Sequence, residues 1–454
     1  MGRSDLPQPP PADTLSGLKR TARMRKRPLE RLIVDLVTTT PIFGGGVEAG
    51  RLDDQVPIRV PSIRGHLRFW WRAMQPAGTE PDAMRAAERT LFGGAAGEEG
   101  AASNVIVTVA AVQPSGIDEL NPSFNSADGY ALFPARGERG QPAKLRWKPG
   151  LTFTLTIDAP MADVAAVRQA LLAWILFGGY GGRTRRGLGS LACASESSRS
   201  EWLPAAANAA AIQKLLGCDA FANPSGIPAG NTPRLAGATL SAGPPVSSGV
   251  SAWTSALGML RTFRQGERVA RDQGRPNRPG RSRWPEADKA RRLVGRETAH
   301  EPRHNAIPAW PRAAFGLPIV ARFQQKNHDQ RPYPVSEPTS FDVLWRDATG
   351  ERRDRLASPL ILKPLALSNG NFAPIALWLD RAFPEGDVIA KITDRSGRGP
   401  ILEDTTAAPF DRIIADGDSP LFEPLIGHAS VRDAFLAWIH SQRQWVHAAG
   451  APPR

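Results

Sequence analysis

The sequence predicts an α+β fold built from two related units, and three observations carry that prediction. Apolar residues change period in the order strand, helix, strand, strand, helix, strand between residues 29 and 193. The second of those helices runs straight into a glycine loop, Gly178-Gly179-Tyr180-Gly181-Gly182-Arg183-Thr184-Arg185-Arg186-Gly187-Leu188-Gly189-Ser190. Finally, the segment Val167–Ile175 is echoed by Val431–Ile439, with differences only at Gln169/Asp433 and Leu171/Phe435, which suggests a duplicated domain; the alternative is chance convergence of two core helices, since no glycine-arginine loop follows Ile439. The six-element order is that of the ferredoxin-like fold, βαββαβ, which many RNA-recognition modules share.

Leu32, Val34 and Leu36 alternate as the first strand, and Pro61-Ser62 opens a helix that places Leu67, Trp70, Trp71 and Met74 on one face. Val105, Val107 and Val109 mark the second strand. In the third, Leu151, Phe153, Leu155 and Ile157 alternate with Thr152, Thr154 and Thr156, as a half-buried strand requires. A helix from about Asp163 carries Val164, Val167, Leu171, Trp174 and Ile175 at helical spacing and stops at Gly178-Gly179. Leu188 to Cys193 closes the unit. These readings divide the chain into a basic, Pro-rich tail at 1–28, a first ferredoxin-like domain at 29–200, a linker or insertion at 201–249 with a short helix around 212–216, and a second domain with insertions at 250–454. In that domain Leu257–Phe263 and Val431–Ile439 read as helices, and Ile319–Phe323 and Leu360–Leu365 as short strands.

A chain of 454 residues with 41% apolar content can hold two cores. Its formal charge is +13, supplied overwhelmingly by arginine, whose planar fork suits phosphate oxygens. A GC-rich genome explains the abundance of arginine but not its clustering in a glycine loop and beside tryptophans, so nucleic acid is the favoured partner. Cys193 and Cys218 form no CxxC, which argues against a disulfide framework and a thiolate zinc site and for a reducing, cytoplasmic location. No apolar run approaches the roughly 18 residues that span a bilayer, so neither membrane insertion nor secretion is expected.

Within the glycine loop, Gly179, Gly181, Gly182 and Gly187 permit close backbone approach, and Arg183, Thr184, Arg185 and Arg186 could pair with phosphate. The competing reading is a flexible connection with solvated arginines. Arg64, Arg68 and Arg72 fall four apart on one stripe of the first helix, a like-charged row that calls for an anionic ligand or an acidic neighbour. Gly65 and His66 lie beside that row. Arg281, Arg283 and Trp284, with Arg275 and Arg278, form a basic loop with an interleaved aromatic that could bind single strands. His300 and His304 have metal-pair spacing, but Glu301-Pro302 interrupts the helix; Gly44-Gly45-Gly46 is not followed by a convincing helix, and no GK[ST] occurs. No metal, cofactor or catalytic residue is expected.

Taken together, these residues resemble the RAMP superfamily, whose members share ferredoxin-like domains and a glycine-rich loop between last helix and last strand. More narrowly, Ile58–Arg72, Gly280–Asp288, Arg312–Ile319 and Ala357–Leu360 look like the family of subunit one of the Cmr complex, the type III-B CRISPR effector. The resemblance implies a non-catalytic subunit at the end of the assembly that holds the 3′ region of the CRISPR RNA, helping to engage target RNA alongside other Cmr-type subunits in antiviral defence. The alternative it leaves open is a metal-independent endoribonuclease maturing precursor CRISPR RNA, with His66 as acid and base.

Overall fold

A computed structural model describes residues 28–46, 51–94, 100–119, 121–123, 126–137, 140, 142–274, 280–294, 310–323, 338–393, 402–403, 408–409, 423–450 and 452. Residues 1–27 of the basic tail, Arg275, Arg278, His300 and His304 lie outside the described residues.

The fold is α+β. In the first half, β1 (Leu29–Thr38), α1 (Val60–Ala73), α2 (Pro81–Phe92), β2 (Ile106–Gln113), β3 (Thr152–Pro160), α3 (Val164–Phe177) and β4 (Leu191–Cys193) follow one another. The strands lie side by side as β2-β3-β1-β4, with every pairing antiparallel. Leu36 is opposite Phe153 on one side and Cys193 on the other, so the alternating apolar residues of all three strands reach the same face. Pro61 sits in the first turn of α1, where its missing N–H costs no helical bond, and extended Arg59 is the N-cap. Helix α2 has no counterpart in the sequence reading; Pro81 opens it, and Met84, Glu88 and Leu91 face inward at spacings of four and three.

The second half repeats the plan. β5 (Arg234–Ala242), α4 (Gly249–Gln265), β6 (Leu360–Ala366), β7 (Phe372–Asp380), α6 (Val431–Ser441) and β8 (Val446–Gly450) form a sheet ordered β6-β7-β5-β8, the same permutation as in the first half. α3 and α6, the carriers of the sequence echo, are therefore the equivalent helices of two topologically matching units. Inserted between α4 and β6 is α5 (Pro285–Leu293), and a separate six-stranded sheet draws on 319–322, 340–347, 352–353, 386–393, 402–403 and 408–409.

Residues 201–249 are not a linker throughout: they carry Ala209–Leu216 as a helix and all of β5, a central strand of the second sheet. β5 is buried almost continuously and built largely of small residues, so it shows neither the alternation nor the β-branched content by which a strand is read.

Why it is buried on both faces follows from the layering. Leu235, Leu240, Ile361, Leu365, Ile375 and Leu377 of the second sheet join one core with α1, α3 and the first sheet, while Leu360, Leu362, Ala376 and Trp378 join another with α4 and α6. The order is sheet, helices, sheet, helices. From Ala170 to Phe177 every residue of α3 is buried, because a sheet covers it on either side.

Candidate nucleic-acid interface

Helix α1 and the loop 178–190, more than a hundred residues apart in sequence, meet in the structure. The loop folds back on itself: Tyr180 N–H donates to Gly189 O at 2.9 Å, and Gly182 N–H donates to Phe43 O at 2.6 Å. Gly181 and Gly187 take φ of 89° and 77°, and a Cβ on Gly187 would lie 2.5 Å from Trp253 Cδ1 and 2.6 Å from Leu362 O. The phenol of buried Tyr180 accepts the Arg59 N–H at 2.7 Å, tying the loop to the N-cap of α1. Two turns along, the His66 ring stacks on Trp174, centroids 5.7 Å apart and 11° from parallel, with the Tyr180 edge at 6.1 Å. Burial pushes this imidazole down to about 4, so it is neutral near pH 7.

The loop arginines make contacts within the chain, chiefly across the junction with the second half. Arg186 donates to Leu360 O at 3.0 Å, Phe315 O at 3.2 Å and Ser358 Oγ at 3.3 Å, and its own carbonyl accepts Trp253 Nε1–H at 2.7 Å. Arg185 donates to Ser358 O and lies over the Phe69 ring at 5.7 Å. Arg183 is exposed, in the left-handed region at φ 59°, and donates to Ala131 O at 3.1 Å. Thr184 begins the short turn that ends at Arg186. Desolvation lowers Arg185 and Arg186 to about 10, which leaves both charged at neutral pH.

The stripe on α1 finds the acidic neighbour that its like charges call for. Arg68 and Arg72 each donate to Glu88 Oε1 of α2 at 2.5 Å, and those hydrogen bonds hold the buried carboxyl below its usual range against a desolvation that raises it. Two guanidinium groups share one carboxylate, so the pair retains net positive charge at about one-third exposure. Arg64 donates to Phe92 O at 2.8 Å, and Gly65 is exposed with open space where a Cβ would stand.

The second basic segment is arranged differently from its sequence reading. Trp284, expected as a stacking platform, is a core residue: it is 1% exposed, donates Nε1–H to Arg264 O at 3.0 Å and packs edge-on against Phe263. Its apolar mass is worth more buried than presented to a base. Arg281 pairs with Asp288, and Arg283 with Asp272 at 3.0 Å. These acids lie seven and eleven residues from the arginines they neutralise, so the pairs are local, unlike those of Glu88.

Two further cations at the junction escaped the sequence reading because neither sits in a charged run. Arg264 of α4 donates to Tyr130 Oη at 2.5 Å, and Arg381 follows the last residue of β7. Among the described residues there is no group of three or more His, Cys, Asp or Glu side chains able to hold a metal ion, and no helix is long and apolar enough to cross a membrane.

Residues 35–192 match the RAMP superfamily. Among curated proteins, the chain is similar to the CRISPR system Cmr subunit Cmr1-1 of Pyrococcus furiosus, 27% identical over 146 residues, which are 31% of this chain and 42% of that protein. The match thus spans less than half the length of that relative. Among solved structures, Cmr1 of Pyrococcus furiosus in its apo form aligns with a TM-score of 0.44 at 16% identity, over 87% of this chain and 96% of that one. A chain of the type III-B Cmr-beta complex bound to cognate target RNA aligns with a TM-score of 0.41 at 13% identity, over 77% and 94%.

Proposed function

We propose, for a chain whose residues 35–192 belong to the RAMP superfamily and which is Cmr1-like, that it is an RNA-binding subunit of a cytoplasmic type III-B Cmr effector, built from two ferredoxin-like units. It grips CRISPR RNA or target RNA through α1 and the loop 178–190, near the guide's 3′ region, and leaves cutting to other subunits. The observation that supports this reading is the convergence of α1 and the loop on one side of the first domain. Tyr180, His66 and Phe69 join them, and Arg64, Arg68, Arg72, Arg183 and Arg185 add positive charge. A backbone-led grip of this kind is sequence-tolerant and leaves base reading to the guide.

RNA binding by the full chain tests it. Changing Arg183 and Arg185 together to alanine, with the enclosed Arg186 left in place, is expected to weaken binding to unrelated single-stranded RNAs about tenfold and to lower the salt slope by roughly one per lost contact. Unchanged affinity and slope would remove the loop from the interface.

The endoribonuclease alternative asks His66 to exchange protons near neutral pH, whereas burial holds its imidazole far below that range. Repeat RNA incubated with the protein in EDTA is expected to stay intact. Cleavage that disappears in His66→Ala would replace the binding reading with the enzymatic one.

A further inference from the structure

Among the described residues, the arginines at the junction of the two halves have no acidic partner. Arg183, Arg185, Arg186 and Arg264 donate to Ala131 O, Ser358 O, Leu360 O, Phe315 O and the Ser358 and Tyr130 hydroxyls, and no carboxylate of the described residues bonds to any of them. Arg381 Nη2, like Arg264 Nε, is buried and has no hydrogen-bond partner. The adjacent carboxylate of Asp380 is committed elsewhere, accepting from Arg234 Nε at 2.7 Å. Arg381 and Arg185 approach the same stretch of chain: Arg185 donates to Ser358 O, and Leu379 N–H, two residues before Arg381, donates to Pro359 O at 3.1 Å; the charge of Arg381 also opposes protonation of Arg185. Folded proteins pair buried cations with acids, as this chain does at Arg68/Arg72–Glu88 and Arg234–Asp380. Like charges brought together with a donor left over are what an anion site looks like before its anion arrives.

We propose that Arg185 of the first half and Arg381 of the second form a two-arginine clamp for one phosphodiester of bound RNA, seated at the junction with Phe69 beneath Arg185. This rests on the RNA-binding reading above and adds to it a contact from the C-terminal half. Each guanidinium offers parallel N–H donors that match the two non-bridging oxygens, and a single phosphate spanning both side chains relieves their repulsion. Engagement of RNA would then fasten one half of the molecule to the other.

The test uses the full chain, a short mixed-sequence single-stranded RNA and the Arg381→Gln variant, with Arg85→Gln as a control because Arg85 is exposed and paired with Asp82 on α2. Arg381→Gln should weaken RNA binding five- to tenfold and reduce the salt slope by about one, while Arg85→Gln stays within twofold. Without RNA, Arg381→Gln should melt no lower than the parent, since it removes a repulsion; a lower melting temperature would mark Arg381 as a structural cation and overturn the clamp. RNA affinity within twofold of the parent would also overturn it, and the Arg183/Arg185 double variant tells how far the failure reaches. Lost binding there leaves the RNA-binding reading standing, and intact binding removes that too. If sodium phosphate alone raises the melting temperature of the parent but not of Arg381→Gln, while RNA affinity is equal in both, the site takes free phosphate and the RNA clamp is wrong.

Discussion

At the scale of the residue, His66 shows how enclosure sets chemistry. Trp174 covers one face of its ring and the edge of Tyr180 lies close by, so the charged form is denied water and the imidazole titrates at about 4 instead of its usual 6.5. The unfolded chain therefore takes up a proton as pH falls through 6.5, while the folded chain resists until about pH 4. Stability from this site is complete above the unfolded value and drains away between the two, by about 3 kcal/mol in all. Urea midpoints measured across that window should fall less in His66→Phe, which keeps the stacking and cannot be protonated. Parallel profiles for parent and variant would show that His66 is better hydrated than its surroundings imply. Glycine carries a comparable lesson within one candidate interface. Gly187 has φ of 77° and would drive a Cβ into Trp253 and Leu362, so Gly187→Ala should destabilise by about 2 kcal/mol or more. Gly65, helical and open to solvent, should gain up to about 1 kcal/mol on changing to alanine. Chemical denaturation separates the two, and weaker RNA binding by a stabilised Gly65→Ala would indicate that its bareness serves a close-lying ligand.

At the scale of the element, α3 and α6 share a sequence and a topological place but differ in surroundings. α6 has one covered face and a capped start, where Ser430 Oγ accepts the Asp433 N–H at 3.1 Å. α3 lies between two sheets, and its C-terminal carbonyls are met by an unusual donor: Lys363 of β6, fully buried, reaches Gly178 O at 2.8 Å and Ile175 O at 3.0 Å. An ammonium at a helix C-terminus complements the dipole and satisfies carbonyls that would otherwise be orphaned. Lys363→Met keeps the volume and removes the donors, so it should cost about 2–4 kcal/mol, measured by denaturation of the full chain. Burial also lowers this amine from 10.5 to about 7. The unfolded chain holds its proton up to the higher value, so the parent should gain stability as pH rises from about 7 toward 10.5, and Lys363→Met should lose that gain. A variant as stable as the parent with the same pH profile would show that solvent reaches these carbonyls.

At the scale of the whole molecule, the two halves are layered so that helices of the first cover the sheet of the second, and the glycine loop with its arginines is part of the joint. The sequence by itself determined the local grammar: the alternation in β1 and β3, the proline that starts α1, the glycines that end α3, and the paired nine-residue segments that announce a second unit of the same order. Those are legible because periodicity and turn chemistry act over a few residues. Only the tertiary structure decided the pairing of charges and the fate of aromatics. Glu88 reaches Arg68 and Arg72 from another helix, Arg185 donates to Ser358 O of the other half, and Trp284 exchanges an expected surface for a core. β5 escaped for the related reason that a strand buried on both faces carries no alternation. Hydrophobic pattern is written along the chain, whereas the electrostatic partner of a side chain is whatever the packed layers bring within a few ångströms of it.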